Sequence, residues 1–172
     1  MTPHLALRHH AFTLLELIVV LSIAAILSSV VVLSLGSHFQ QAAVARAIDS
    51  LTTADHIARR TAVEPTAAGV VLDYDLPRHR VKLTTLNTSQ SSRTFSWSEK
   101  VALSDLQVLD NRGWTSSGEA IEFSYSGNSP TYSMRLTSGK VSRWLVIFGM
   151  TGQATVYETP ESFAELLREL PL

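Results

Sequence analysis

The side chains able to do chemistry are few and scattered. Asp73 and Asp75, in the triplet Asp-Tyr-Asp, share one strand face beside a turn. Two such carboxylates could touch a cation such as calcium, although the same pattern is more commonly a solvated edge. His4, His9, His10, His38, His56 and His79 include no pair with metal-ligand spacing on a credible element. His9-His10 reads as a polar, weakly cationic flank. The chain has no cysteine, which excludes disulfide scaffolds, Cys-zinc sites and thiol chemistry. It also lacks the Gly-x-Ser-x-Gly, phosphate-loop and His-Glu-x-x-His patterns. Asn87-Thr88-Ser89 matches a glycosylation sequon, a match that arises often by chance. Trp97, Trp114 and Trp144 read as core or turn-packing residues. No enzymatic activity, metal or cofactor is expected.

One acid remains to be explained. Glu16 stands at the front of an apolar run, Leu17–Leu35, whose only polar residues are serines. A carboxylate at mid-bilayer costs on the order of 3 kcal/mol, and less near a helix end. If the chain were cut between Ala11 and Phe12, Glu16 would lie in the first helical turn. There it would meet the positive end of the helix dipole and a new ammonium at Phe12. A neighbouring chain's ammonium could serve equally, and that pairing would set the register between helices. The acid thus points to a helix built to assemble with similar helices.

The elements that carry Glu16 follow from periodicity. As a helix, Leu17–Leu35 measures about 28 Å, near the ~30 Å of a bilayer core. It is longer than the roughly 7–15 residues of a secretory h-region. Its serines can bond back to helix carbonyls. From Phe39 onward Val44, Ile48, Leu51, Ala54 and Ala58 recur at three- and four-residue steps, with Arg46, Asp49, Asp55, Arg59 and Arg60 mostly between them. Pro65 stops the pattern. One helix from about Phe12 to about Val63 is therefore expected, apolar all round at first and amphipathic later.

Beyond it, short segments rich in Val, Ile, Thr and aromatics alternate with Gly, Asn, Ser and Pro turns. Strands are expected in GVVLDYD, RVKLTTLN, RTFSWSE, LQVLD, AIEFSYS, TYSMRLTS, RWLVIFGM and QATVYE, forming an antiparallel sheet or sandwich. Pro160 then opens a terminal helix with Phe163, Leu166, Leu167 and Leu170 on one face, docked on the sheet or offered to a partner. The fold class is α+β. The length of 172 residues suits one domain plus an anchor, and the net charge of -1 offers no basic field for nucleic acid. At 45% hydrophobic and 17% charged, the chain is more apolar than a usual soluble domain.

The segment AFTLLELIVVLSIAAIL resembles the N-terminal cleavage and methylation segment of type IV prepilins and type II secretion pseudopilins. A basic leader, a small residue, Phe12, Thr13, Leu14-Leu15, Glu16 and a long apolar run stand in the same order. The resemblance implies that a prepilin peptidase cuts between Ala11 and Phe12 and methylates Phe12. It also implies that Glu16 guides assembly with other pseudopilins. Three features depart from the family. Ala11 stands where Gly is usual, and slower cleavage is expected. Ala25 and Leu33 stand where many major pilins have Gly and Pro, so a less broken helix is expected. Arg8 and Arg46 flank the run on opposite sides, so the N-in orientation leans on the resemblance.

The later sequence is similar to the H-type (GspH-like) minor pseudopilin domain. The similarity rests on Ala58-Arg59, on Phe123 to Gly127 and on Thr151-Gly152. The implied fold is pilin-like, a long N-terminal transmembrane helix on a small antiparallel domain; the short C-terminal helix, Pro160–Leu170, is read from the residues alone and is not mapped onto the family. The expected organisation is a leader 1–11, a transmembrane and assembly half 12–35, an amphipathic half 36–64, a periplasmic β domain 66–158 and a helical tail 160–172. The implied function is that of a minor pseudopilin in the inner membrane, joining the pseudopilus tip that exports folded proteins. A minor pilin of a type IV pilus or DNA-uptake system shares the same residues. A membrane-tethered binding domain that never polymerises is the remaining alternative, and it leaves Glu16 without a role.

Overall fold

The computed structural model describes residues 14–65, 67–86, 91–110, 113–116 and 120–169, with side chains at 30–35, 167 and 169 left out. The chain divides into two compact units, one ending at Ser37 and one beginning at His38. Helix α1, Leu14–Ala62, runs through both.

In the first unit every described side chain of α1 is exposed. Three of its described serines bond back to the helix as expected. Ser22 Oγ donates to the Ile18 carbonyl at 2.8 Å, Ser28 to Ala24 at 2.7 Å and Ser29 to Ile26 at 2.7 Å. No glycine or proline interrupts this stretch before Gly36, and the helix continues without a break.

In the second unit the remainder of α1 lays a stripe of Val44, Ala47, Leu51, Ala54, Ala58 and Ala62 on the core. The alanines let the helix axis come close to the strands it covers. Arg59 and Arg60 in the last turn complement the helix dipole. Two antiparallel sheets receive the stripe. One has the order β3-β2-β1-β6 and contains β1 (Val70–Asp75), β2 (Arg80–Thr85), β3 (Ser92–Ser96) and β6 (Ala120–Phe123). The other has the order β5-β4-β7-β8-β9 and contains β4 (Ala102–Asp110), β5 (Gly113–Ser116), β7 (Thr131–Ser138), β8 (Val141–Ile147) and β9 (Ala154–Tyr157). Alternation fills the inner faces with Leu72, Tyr74, Val81, Ile121 and Phe123 from one sheet and Tyr132, Met134, Leu136, Leu145 and Ile147 from the other.

The strands follow the sequence pattern with three additions. The four residues of β5 are too short to show a period. Strand β4 begins earlier than the Leu-Gln-Val-Leu-Asp segment and accommodates a register shift between Ser104 and Gln107, where Asp105 takes φ 53°. The expected turn after β1 is a 3-10 turn, Leu76–Arg78, closed by His79 at φ 50°. Helix α2, Pro160–Glu169, is capped by Thr159, whose Oγ1 accepts from the Ser162 amide at 3.2 Å. Leu170 and the sequon at Asn87 lie outside the described residues.

One expectation is corrected here. Asp55 was placed among the polar residues between the stripe positions, yet it is fully buried. The Asp75 carboxylate, a candidate cation ligand, is taken by Arg80 Nε at 2.9 Å and Arg78 Nη1 at 3.2 Å. Partial burial raises the pKa of Asp75, but the two guanidiniums outweigh it and hold the carboxyl below its usual value.

Candidate assembly segment and the Arg59 cradle

Glu16 lies in the first turn of α1 and is exposed. An acid in the first turn of a helix is favoured by the positive end of the helix dipole. Around it Leu14, Leu15, Leu17, Ile18, Val19, Val20, Leu21 and Ile23 are all about half exposed or more. A run of this size without cover marks a surface for lipid or for other helices. Ala11 and Phe12 lie outside the described residues, as does the expected leader. The side chains of the run's last third are likewise outside them. Among the described residues, no helix is long and apolar enough to cross a membrane.

A second cluster was missed from the sequence. It lies in the unit beginning at His38 and is centred on Arg59. Its Nε donates to Asp55 Oδ2 at 2.7 Å and its Nη2 to Asp55 Oδ1 at 3.2 Å, a two-point pairing one helical turn apart. Nη1 donates to the carbonyls of Gly127, at 3.1 Å, and Gly149. Nη2 also reaches Ser129 Oγ at 2.8 Å. The guanidinium sits 5.4 Å from the centre of the Phe123 ring. Tyr132 Oη donates to Asp55 Oδ1 at 2.8 Å, so the buried carboxylate is met from both the helix and the sheet. Burial pushes the Tyr132 phenol well above its ordinary value, and the nearby Tyr74 and Asp55 add to that shift.

The three pieces on which the later resemblance rests meet at this side chain. Ala58-Arg59 leads into the last turn of the helix, Phe123 to Gly127 supplies a ring and a carbonyl, and Thr151-Gly152 closes over the guanidinium. A Cβ on Gly152, at φ 69°, would stand 2.8 Å from Arg59 Nε. Glycine is required there by both conformation and space. A signal for the cluster was present in the sequence. Asp55 follows Leu51 by four residues and precedes Ala58 by three, so it occupies a stripe position. An acid there needs a partner, and Arg59 is one turn away. The cradle ties the end of α1 to two loops and holds no arrangement for catalysis. Among the described residues, no group of three or more histidines and carboxylates could hold a metal.

Trp97 is a core residue, with Nε1 donating to the Val101 carbonyl at 3.1 Å. Trp114 and Trp144 do not enter the main core and instead face Phe163 of α2.

Comparison with known proteins agrees with the N-terminal reading. No curated protein matches the chain. Among solved structures, the minor pseudopilin EpsH from the type 2 secretion system of Vibrio cholerae is similar at 9% identity, covering 64% of this chain and 93% of its own, with a TM-score of 0.46. The type IV minor pilin FimU of Pseudomonas aeruginosa is similar at 16% identity, covering 69% and 90%, with a TM-score of 0.46. A family described as the prokaryotic N-terminal methylation motif matches residues 7–32. This chain therefore carries a prokaryotic N-terminal methylation motif, over the same residues at which its sequence resembles prepilins and pseudopilins.

Proposed function

We propose that this chain is a minor pseudopilin, which works by assembly and not by catalysis. Prepilin peptidase cuts it between Ala11 and Phe12 and methylates the new amine of Phe12. The apolar half of α1 holds it in the inner membrane, N-terminus inward, until Glu16 pairs with the amine of a neighbouring subunit. The β domain then lies on the periplasmic side of a short filament that exports folded proteins. The single observation that carries this reading is Glu16 in the first turn of an apolar helix half whose described side chains are all exposed. The methylation motif over residues 7–32 supports the processing step. The H-type sequence resemblance supports a secretion setting over a pilus.

Two measurements test it. The N-terminal mass of protein from native membranes should correspond to a chain beginning at methylated Phe12. A chain still beginning at Met1 with the peptidase present would sink the processing step. Glu16→Ala should insert into the membrane normally but be lost from isolated filaments. Incorporation at the wild-type level would remove Glu16 from the assembly step, and absence of the wild-type chain itself from filaments would leave the tethered binding domain.

A further inference from the structure

The turn between β7 and β8 is fastened to α1. Gln40 Oε1 accepts from the Lys140 amide at 3.3 Å. Gly139 lies beside it at φ 56°, and a Cβ there would run into the Gln40 side-chain amide. Glycine is thus needed for the helix and the turn to come this close. Every group in this clasp belongs to the unit beginning at His38.

The clasp fixes where the turn stands along α1. Gln40 follows Leu35, the last residue of the apolar run, by five residues. In helical form they rise about 7.5 Å. The headgroup layer of a bilayer is about 5–8 Å thick on each side of the hydrocarbon core. If the run spans that core, the turn between β7 and β8 meets the outer edge of the headgroup layer.

Charge at this end of the sheet suits such a place. The chain has three lysines, Lys82, Lys100 and Lys140. Lys140 is on the fastened turn. Strand β4 begins at Ala102, which pairs with Thr137 of β7, so the turn Ser98–Lys100 closes the same end of the sheet. Lys100 and Lys140 are both exposed, and neither ammonium has a partner among the described residues. Glu99 is the one acid on these two turns. Phe39, next to Gln40, is 68% exposed. An aromatic ring and long cationic side chains just past an apolar run suit a membrane interface.

We propose that the turns carrying Lys100 and Lys140, together with Phe39, form a foot that rests the β domain on anionic lipid headgroups. The inference rests on the membrane placement of α1 proposed above, and names the surface that the β domain meets there. Phosphodiester oxygens accept from the two ammonium groups. The negative surface potential acts on them within a Debye length, ~10 Å at 0.1 M salt. Two lysines are too few to anchor a chain, so the apolar run anchors and the foot orients. Gln40 makes that orientation rigid, because it holds the turn to the helix that enters the membrane.

The test uses the full chain without substitutions, in liposomes of phosphatidylcholine alone or with phosphatidylglycerol added. Formaldehyde with a borane reductant, an uncharged reagent pair, methylates the lysines, and mass spectrometry reads each one. Lys82, within β2 of the other sheet, is the internal reference. Phosphatidylglycerol should slow Lys140 and Lys100 at least threefold relative to Lys82, and high salt should restore both rates. Gln40→Ala frees the turn and should remove at least half of the protection of Lys140, as should Phe39→Ser. Rates indifferent to phosphatidylglycerol, in a chain that floats with the liposomes, would overturn the foot and leave the membrane placement standing. A chain that fails to float would overturn both. Protection unchanged in both variants would overturn the parts given to Gln40 and Phe39. Equal protection by inorganic phosphate in neutral detergent micelles would assign the lysines to free phosphate and overturn the lipid surface.

Discussion

Arg59 is the residue on which most of the domain's polar order depends. Its side chain is mostly buried and Asp55 is entirely so, which removes the screening that makes surface ion pairs weak. Taking away one partner leaves the other charge uncompensated in the interior. Arg59→Met is expected to cost about 3–5 kcal/mol, read as a lowered denaturation midpoint at unchanged slope. Arg59→Lys keeps the charge but loses the fork that reaches both loops, so an intermediate loss is expected. Tyr132 adds a pH dependence. Its folded pKa is raised while the unfolded phenol ionises near 10, so the folded state holds the proton longer. Its stabilising contribution is complete below pH ~10 and is lost as the pH rises through the folded value. The melting temperature should fall on going from about pH 9 to pH 11. Tyr132→Phe should flatten that fall. An equal slope in the variant would assign the alkaline loss to other groups.

The decisive element is α1, because its two halves answer to different surroundings. The half from His38 is held by a stripe that a sheet can bury, and Leu51 lies at its centre, fully buried. Leu51→Ala should cost about 2–5 kcal/mol, since helix and strands close the void only in part. The loops that meet the end of α1 are as constrained as the helix. At Gly152 an alanine would need φ 69° and would crowd Arg59. Strain of that kind is of order 1–3 kcal/mol, so Gly152→Ala should lower the melting temperature without changing the strand content seen by circular dichroism. Gly149 is tighter still, because a Cβ there would stand 2.0 Å from the Ser129 carbonyl oxygen, which belongs to backbone and cannot turn aside. Gly149→Ala should therefore disorder both loops, visible as new proteolytic cuts between Ser124 and Thr131.

At the scale of the whole molecule, two units ask for two solvents. The unit beginning at His38 closes around its own core, whereas the described residues before it expose leucine, isoleucine and valine on every side. A chain started at His38 is expected to stay in the supernatant after ultracentrifugation and to keep the melting behaviour of its β domain. The full chain should sediment with membranes and need detergent for extraction. If the two partition alike, the exposed apolar surface of residues 14–29 is covered by something other than lipid or a neighbouring helix.

Much of this protein was legible as sequence. Periodicity at three and four residues located α1 and its buried stripe, because each step of that pattern is a local property of one helix. Alternation and turn residues located eight of the strands for the same reason. The placement of Glu16 before an apolar run marked that segment as the candidate for assembly without any fold at all. Tertiary structure decided what depends on residues far apart in the chain. Asp55 has Arg59 one turn away on its own helix, but its other partner, Tyr132, is brought to it only by the fold. Gly127, Gly149 and Gly152 look like ordinary turn glycines until two loops close on one guanidinium. Phe163 is an apolar residue on a terminal helix until the folded sheet sets Trp114, Trp144 and Tyr157 around it. Local order follows from the spacing of side chains along one element. A buried charge and an aromatic basin exist only where separate elements exclude water together.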